Sequence, residues 1–441
     1  MWEDCTMRFA LINPNWSLNG VFSPGCNEPH LPIEYGYTKS LLEKKKHEAI
    51  IIDGHFEKLS IQGIYNRLIR FDPDFVVITT APSYLSWRDT PPELIIPIET
   101  IKVLHNIPAT KIAVGPHGSL TPEIILRKLG IDAVIIGECE EIVSLFTDKN
   151  PLTWKNIPSI CYKNQNEIIV QGSAYESDMN NLTSLLWPAE LLSRNHHQHN
   201  RFNFPDLSSG AEIEASRGNP MPTSNPFRSR YRKRQLSTVI KELDHLIHCG
   251  IEYVYFIDEL FLPDTDLLFA LAERPIKFGI QTRLELWTRE RLNLLGMSGC
   301  VSIEAEVKNI SEKKYLLPNN QYIVTSKQII EHIIYTKKRI PFVKAMLIDS
   351  KSDNPELVEN WKKYLQHFGI WANKPGNEFP YPGTEDYEKL WGEPDDKAWE
   401  KAFEYFAKNS IGSNDLLEEQ LTHPSELEKR SIIEQRMHIT N

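Results

Sequence analysis

The stretch AEIEASRGNPMPTSNPFRSRYR, Ala211 to Arg232, decides how this chain is read. It begins as an apolar strand and leaves through Ser216-Arg217-Gly218. It then passes through three prolines, two asparagines and a ladder of arginines. A loop of that kind at a strand's C-terminal end is suited to gripping a ligand. Further strands follow: YVYFIDEL, KFGIQTRL, CVSIEAEV, PFVKAMLID and GIWANKPGNEF. Between them lie helical patterns at Leu236 to Cys249, Asp264 to Ala272, Arg289 to Met297, Ser326 to Lys338 and Pro355 to Phe368. Repeated strand–helix units predict an incomplete parallel barrel, whose chemistry sits at the strands' C-terminal ends. Asp258, Glu259, Gln281, Arg283, Glu304 and Lys344 fall there and are the candidate catalytic residues. That many polar groups in one mouth imply a polar small-molecule ligand, with a buried salt-bridge network as the structural alternative. Arg228, Arg230, Arg232, Lys233 and Arg234 suit an anionic ligand, or form a solvated face running into the next helix.

Upstream, the same alternation appears with different loops. MRFALINP, HEAIIIDG, FVVITTAP, KIAVGP and DAVIIGE are apolar runs separated by helical segments near Gly36 to Lys46, Ile95 to His105 and Pro122 to Leu129. Runs apolar on both faces indicate a parallel sheet covered on both sides. Right-handed crossovers then give a doubly wound, Rossmann-like domain, which binds ligands beyond its strand ends. Small and polar residues gather at those ends: Asn13-Pro14, Asp53-Gly54-His55, Ser83-Tyr84-Leu85, Gly115-Pro116-His117 and Gly137-Glu138. Small residues there let a large flat ligand approach the backbone.

The 441 residues predict two or three domains at roughly 150 residues each. The divisions expected are 1–150, a linker with a hairpin (SICYKNQNEIIV) at 151–208, a barrel at 209–385 and a helical tail at 386–441. In that tail Trp399, Phe403 and Phe406 are spaced to pack one face. A net charge of −10 opposes wrapping nucleic acid. No apolar run approaches the ~20 residues of a membrane span. Glu3 and Asp4 precede the first apolar stretch, where a secretory signal would be basic, so a cytoplasmic location is expected. The six cysteines are scattered, without a CxxC pattern or a disulfide framework. His196, His197 and His199 lack a nearby carboxylate or thiol pattern and are read as a solvated linker rather than a metal site.

With these residues placed, the chain resembles the cobalamin-binding radical S-adenosylmethionine (SAM) enzymes over nearly its whole length. The resemblance rests on Asn13-Pro14, Asp53, Gly115-Pro116-His117 and the Ile-Gly-Glu-x-Glu-Glu run ending at Glu141. In the second half it rests on Ser216-Arg217-Gly218 and on Phe379-Pro380-Tyr381-Pro382-Gly383-Thr384. It implies a cobalamin domain followed by a partial (β/α)6 barrel. Asn13, Pro14, Asp53, His55, Ser83, Tyr84, Leu85, Gly115, Pro116, His117, Gly137 and Glu138 become candidates for holding cobalamin. Asp53 and His55 match part of a motif that supplies the lower cobalt ligand, but its final glycine is Lys58 here. Asp53 is expected to cap a helix or meet the cobalamin tail, and His55 to be an ordinary loop histidine. Trp16, Tyr84 and Trp87 are suited to covering the corrin, as they are to simple core packing.

Two departures shape the functional reading. The family carries Cys-x3-Cys-x2-Cys directly after Ser-Arg-Gly, holding a 4Fe-4S cluster through three thiolates. Here those positions are Asn219, Thr223 and Pro226, so the cluster is expected to be absent. Glu306 stands where the family has a glycine beside SAM, which counts against SAM binding. The expectation is therefore a degenerate homologue with methyltransferase-like or other biosynthetic cobalamin chemistry. The alternative is a non-catalytic cobalamin-binding protein or one that stabilises a protein partner.

Overall fold

The computed structural model describes residues 6–17, 29–82, 93–195, 210–219, 228, 230–307, 310, 315–316, 323–347, 353–372, 380, 382 and 384–410. Two compact units emerge, the first holding the chain as far as Leu185. Its elements are β1 (Arg8–Asn13), α1 (Ile33–Lys44), β2 (Glu48–Asp53), α2 (Ile61–Phe71), β3 (Phe75–Thr79) and α3 (Ile95–Val103). Then come β4 (Thr110–Val114), α4 (Pro116–Leu120), α5 (Pro122–Leu129), β5 (Ala133–Ile135), α6 (Glu140–Val143), β6 (Ile160–Asn164) and β7 (Glu167–Gln171). The sheet order is β2-β1-β3-β4-β5-β6-β7. The first five strands run parallel, as their apolar runs predict. The hairpin SICYKNQNEIIV is β6–β7, and it extends this sheet antiparallel beyond residue 150.

Both faces of the sheet are buried. Phe9, Leu11, Phe75, Val77, Ile112 and Val114 pack on one side. On the other, Ala10, Ile12 and Val76 pack with Leu68, while Ile78 and Ala113 pack with Leu126. Each such aliphatic side chain contributes about 1.5–3 kcal/mol by leaving water, so neither face tolerates polar residues. Helix α2 starts because the Ser60 side chain accepts from the Gly63 amide, and it stops at Asp72, whose φ is +51°. Polar residues such as Asn13, Asp53 and Thr79 are left to the last positions of the strands.

The second unit carries α7 (Ala189–Leu192), β8 (Gly210–Ile213), β9 (Ser216–Arg217), β10 (Arg232–Lys233), α8 (Leu236–His248), β11 (Tyr253–Phe256), α9 (Thr265–Ala272) and β12 (Lys277–Thr282). It continues with α10 (Arg289–Met297), β13 (Cys300–Val307), β14 (Tyr315–Leu316), β15 (Ile323–Val324), α11 (Ser326–Lys337), β16 (Phe342–Leu347), α12 (Pro355–His367) and β17 (Trp371–Ala372). Six strands form one parallel sheet in the order β17-β16-β13-β12-β11-β8, which is sequential. Helices α13 (Glu385–Trp391) and α14 (Asp396–Ser410) belong to the first unit, where Trp399 joins the core beside Ile124 and Ile125. Among the described residues no helix is long and apolar enough to cross a membrane.

Candidate functional site

The strand ends of the first unit bring Asn13 and Asp53 together, because β1 and β2 pair them in register. Asn13 Nδ2 donates to Asp53 Oδ1 at 3.0 Å, and the Phe56 amide donates to the same oxygen at 2.9 Å. Trp16 Nε1 in turn donates to Asn13 Oδ1 at 2.7 Å, so Trp16 is fixed over this corner. Asp53 Oδ2 is buried and has no hydrogen-bond partner among the described residues. Burial pushes this carboxyl up to about 6, against the pull of the Phe56 and Asn13 hydrogen bonds. Pro14 and His55 are buried beside the same two strand ends.

At the other strand ends the chain fills much of the space itself. A Cβ on Gly115 would stand 2.8 Å from Thr80 Oγ1, and its φ of +113° already demands glycine. Gly137, at φ +92°, lies against the backbone of Tyr175. These two glycines are small because neighbouring segments of the protein press on them, which accounts for them without a cofactor. The ring of His117 packs against Trp399, with centroids 5.6 Å apart, and the indole Nε1 donates to Thr121 Oγ1 at 3.0 Å. Glu138 accepts from the Ser177 amide at 2.8 Å, and Glu141 from Tyr175 Oη at 2.8 Å. The Gly-Glu-Cys-Glu-Glu run thus anchors the segment after β7. Ser83, Tyr84, Leu85 and Trp87 lie outside the described residues, as do His196, His197 and His199.

The sheet of the second unit is two-faced. Ile213, Val254, Phe256, Ile280, Ile303 and Val343 alternate with polar residues, and all six are buried. On the opposite, inner face, register places Gln281, Glu304, Lys344 and Trp371 side by side on β12, β13, β16 and β17. Glu212, Tyr255, Gly279 and Ser302 form the neighbouring row. Gly279 is required there, because a Cβ would run into Tyr253 Oη and Ser302 Oγ, which meet over it at 3.1 Å. Gln281 Nε2 donates to Glu306 Oε1. Glu304 is half-buried and makes no hydrogen bond or ion pair among the described residues. Glu306 therefore lies on the inner face with a partner of its own. Glu212, Glu214, Tyr253, Tyr255 and Ser302 were missed in the sequence reading. Strict alternation in AEIE and SIEAE was the signal that could have found them.

The remaining mouth candidates hold the 214–234 segment. Asp258 Oδ1 accepts from the Ala215 amide at 2.9 Å, and Oδ2 accepts from Ser216 Oγ. Burial raises the Asp258 carboxyl to about 7, with the nearby Glu214 charge adding to the rise. Glu259 accepts from the Gly218 amide at 2.8 Å and from Arg228 Nη1 at 2.7 Å. Burial alone would raise Glu259, but the Arg228 charge and these hydrogen bonds hold it below the usual carboxylate range. Gly218, at φ +91°, lets the Asn219 amide reach the Arg228 carbonyl at 2.8 Å. β9 and β10 pair antiparallel just below. The loop is therefore a hairpin closed at its base by protein groups, with Asn219 in the closure; Thr223 and Pro226 lie outside the described residues.

Arg217, Arg228, Arg234 and Arg283 are held by acids. Arg217 Nε donates to Glu214 Oε1 at 2.7 Å with its side chain fully buried. Arg234 donates to Glu242 at 2.7 Å and to the Glu214 carbonyl at 2.7 Å. Arg283 donates to Glu285 at 2.6 Å. Lys233 pairs with Asp264 at 2.8 Å, the capping residue of α9. Cys300 is buried within β13, where burial pushes its thiol far up and makes it a poor metal ligand.

No family model matches the chain. An uncharacterized methyltransferase of Pyrococcus horikoshii is 25% identical over 381 residues, which cover 82% of this chain and 77% of that protein. Among solved structures, TsrM from Kitasatospora setae, a radical SAM methyltransferase with cobalamin and a 4Fe-4S cluster bound, matches with a TM-score of 0.64. The identity is 15%, and the match covers 83% of this chain and 75% of TsrM. OxsB, a cobalamin-dependent SAM radical enzyme with aqua-cobalamin bound, matches with a TM-score of 0.62 and 16% identity, over 90% of this chain and 56% of that one. The structural neighbours are thus cobalamin-dependent radical SAM enzymes, and what this chain shares with them is an α/β fold with parallel sheets.

Proposed function

We propose that the protein is a cobalamin-dependent, methyltransferase-like enzyme that works without the family's usual 4Fe-4S cluster. The observation that carries this reading is the pairing, in one chain, of two parallel sheets with different ends. The first sheet ends in a buried polar corner at Asn13, Asp53 and Trp16; the second has a buried polar inner face. TsrM, a methyltransferase with cobalamin bound, has the same kind of fold.

Asp53 fits the cobalamin reading on its own chemistry. A buried carboxylate oxygen without a partner costs free energy unless a donor arrives, and Oδ2 is such an atom. The amides of the cobalamin side chains are donors of the required kind. Asp53 would hold one of them, and Trp16, locked by Asn13, would support the ring system. Cobalamin, when bound, supplies a methyl group that can leave by polar attack, without a radical. This chain's part is then to hold a polar small molecule on the inner face of the second sheet, at Gln281, Glu304 and Lys344.

The cluster does not fit. Asn219 and Thr223 are neutral oxygen-bearing residues and Pro226 has no side-chain donor, whereas such clusters need thiolates. Supporting the same reading, the base of the loop is closed by Asp258, Glu259 and Arg228, which are protein groups. SAM as the methyl source remains compatible with this proposal. A cytoplasmic location accords with it as well.

The test is equilibrium dialysis with hydroxocobalamin, using the intact protein and Asp53→Ala. Near-stoichiometric uptake that weakens in the variant is expected. No uptake by well-folded protein would remove the reading.

A further inference from the structure

The inner face of the second sheet is dominated by acids. Glu212, Glu304 and Glu306 lie on its strands, and Glu214 follows β8 directly. Against them stands Lys344 on β16. Arg217 and Arg283 are near the same strand ends, but each is matched by a glutamate of its own, Glu214 and Glu285. Glu306 takes its hydrogen bond from Gln281. Glu304, in the middle of the row, takes none and is open enough to be reached.

A second observation points the same way. Glu214 and Glu285 are 3% and 7% exposed, and in each one carboxylate oxygen, Oε2, is buried with no partner. Both residues sit at the C-terminal ends of their strands, Glu214 after β8 and Glu285 after β12. Buried carboxylate oxygens lacking a donor are costly, and a ligand that brings N–H groups and positive charge would satisfy them.

From this we infer that the second sheet is a receptor for a protonated nitrogen, an ammonium or guanidinium group, with Glu304 as the residue that selects it. The inference rests on the inner face being the substrate surface of the proposed enzyme, and it makes the ligand cationic rather than anionic there. The same chemistry has two sources, a basic substrate or the amino group of SAM.

Isothermal titration calorimetry of the intact protein separates these. The probes are benzylammonium, agmatine, SAM and the neutral isostere benzyl alcohol, against wild type, Glu304→Gln and, as a control, Glu331→Gln on the exposed side of α11. A simple amine should bind wild type and Glu331→Gln alike, and Glu304→Gln about tenfold or more weakly, as the loss of one charge-assisted hydrogen bond implies. Glu304-dependent binding of SAM with no binding of the simple amines would also support the receptor and assign the cation to SAM. Benzyl alcohol binding wild type as well as benzylammonium would overturn the inference without any variant. So would equal affinity in Glu304→Gln, or no binding by any cation. None of these readouts needs cobalamin. A protein that binds amines through Glu304 but takes up no hydroxocobalamin would refute the proposed function and leave this inference standing.

Discussion

Asp258 and Glu259 are adjacent in sequence and do opposite things electrostatically. Glu259 is kept charged by Arg228, and the pair is largely buried, with side-chain exposures of 7% for Arg228 and 15% for Glu259. Removing one member of a buried pair strands the other, at a cost of about 3–5 kcal/mol. Glu259→Ala should therefore shift the urea midpoint strongly and make the 219–228 loop sensitive to protease. An unchanged midpoint would show that the pair does not hold the loop. Asp258 has its carboxyl raised to about 7 by burial, so the native state binds its proton more tightly than the unfolded chain does. Its contribution is fully present below the unfolded value, near 4, and is lost as pH rises through about 7. Wild type should lose stability relative to Asp258→Asn between about pH 4 and 7, as measured by calorimetric melting across that range. Equal pH profiles would refute the buried, near-neutral carboxyl. Neither role was legible in the sequence. It marked both residues as mouth candidates because strand ends carry chemistry, but the partners Ser216, Gly218 and Arg228 meet them only through the hairpin. For the arginine ladder, charge is visible in sequence, but its pairing over 31 residues, Arg228 to Glu259, is not.

Strands and loops were read more reliably than side-chain partners. The apolar runs at Arg8–Asn13, Glu48–Asp53 and Phe75–Thr79 are strands because burial on both faces leaves no place for polar residues. In the second sheet, where one face is polar, the same composition yields strict alternation, and reading it only as strand overlooked Glu212 and Tyr253. Glycine shows a different limit. Gly137 looked like room for a cofactor, yet its φ of +92° and the backbone of Tyr175 already require it. Gly137→Ala combines a strained backbone with a steric clash and should cost about 2 kcal/mol or more, read from denaturant melts. A neutral result would mean that the segment after β7 is not pressed against β5. Within the second sheet, Gly279→Ala should be similarly costly, because Tyr253 and Ser302 close over it.

The whole molecule combines a fold shared with cobalamin-dependent radical SAM enzymes and a loop, between β9 and β10, that contains no cysteine. The first sheet offers a buried acceptor at Asp53, and the second a polar face centred on Glu304. The loop between β9 and β10 is held by protein ion pairs and hydrogen bonds at its base. Cobalamin chemistry without the usual cluster is the function proposed from these together. It predicts separable metal contents, because cobalt would enter with cobalamin at the first unit while iron would find no thiolate ligands at residues 219, 223 and 226. The decisive measurement is cobalt and iron analysis of one sample of the intact protein, reconstituted anaerobically with hydroxocobalamin, iron and sulfide and then desalted. About one cobalt per chain with iron far below the ~4 of a 4Fe-4S centre is the predicted result. About four irons per chain with the Mössbauer signature of such a cluster, or protein that retains no cobalt, would contradict it.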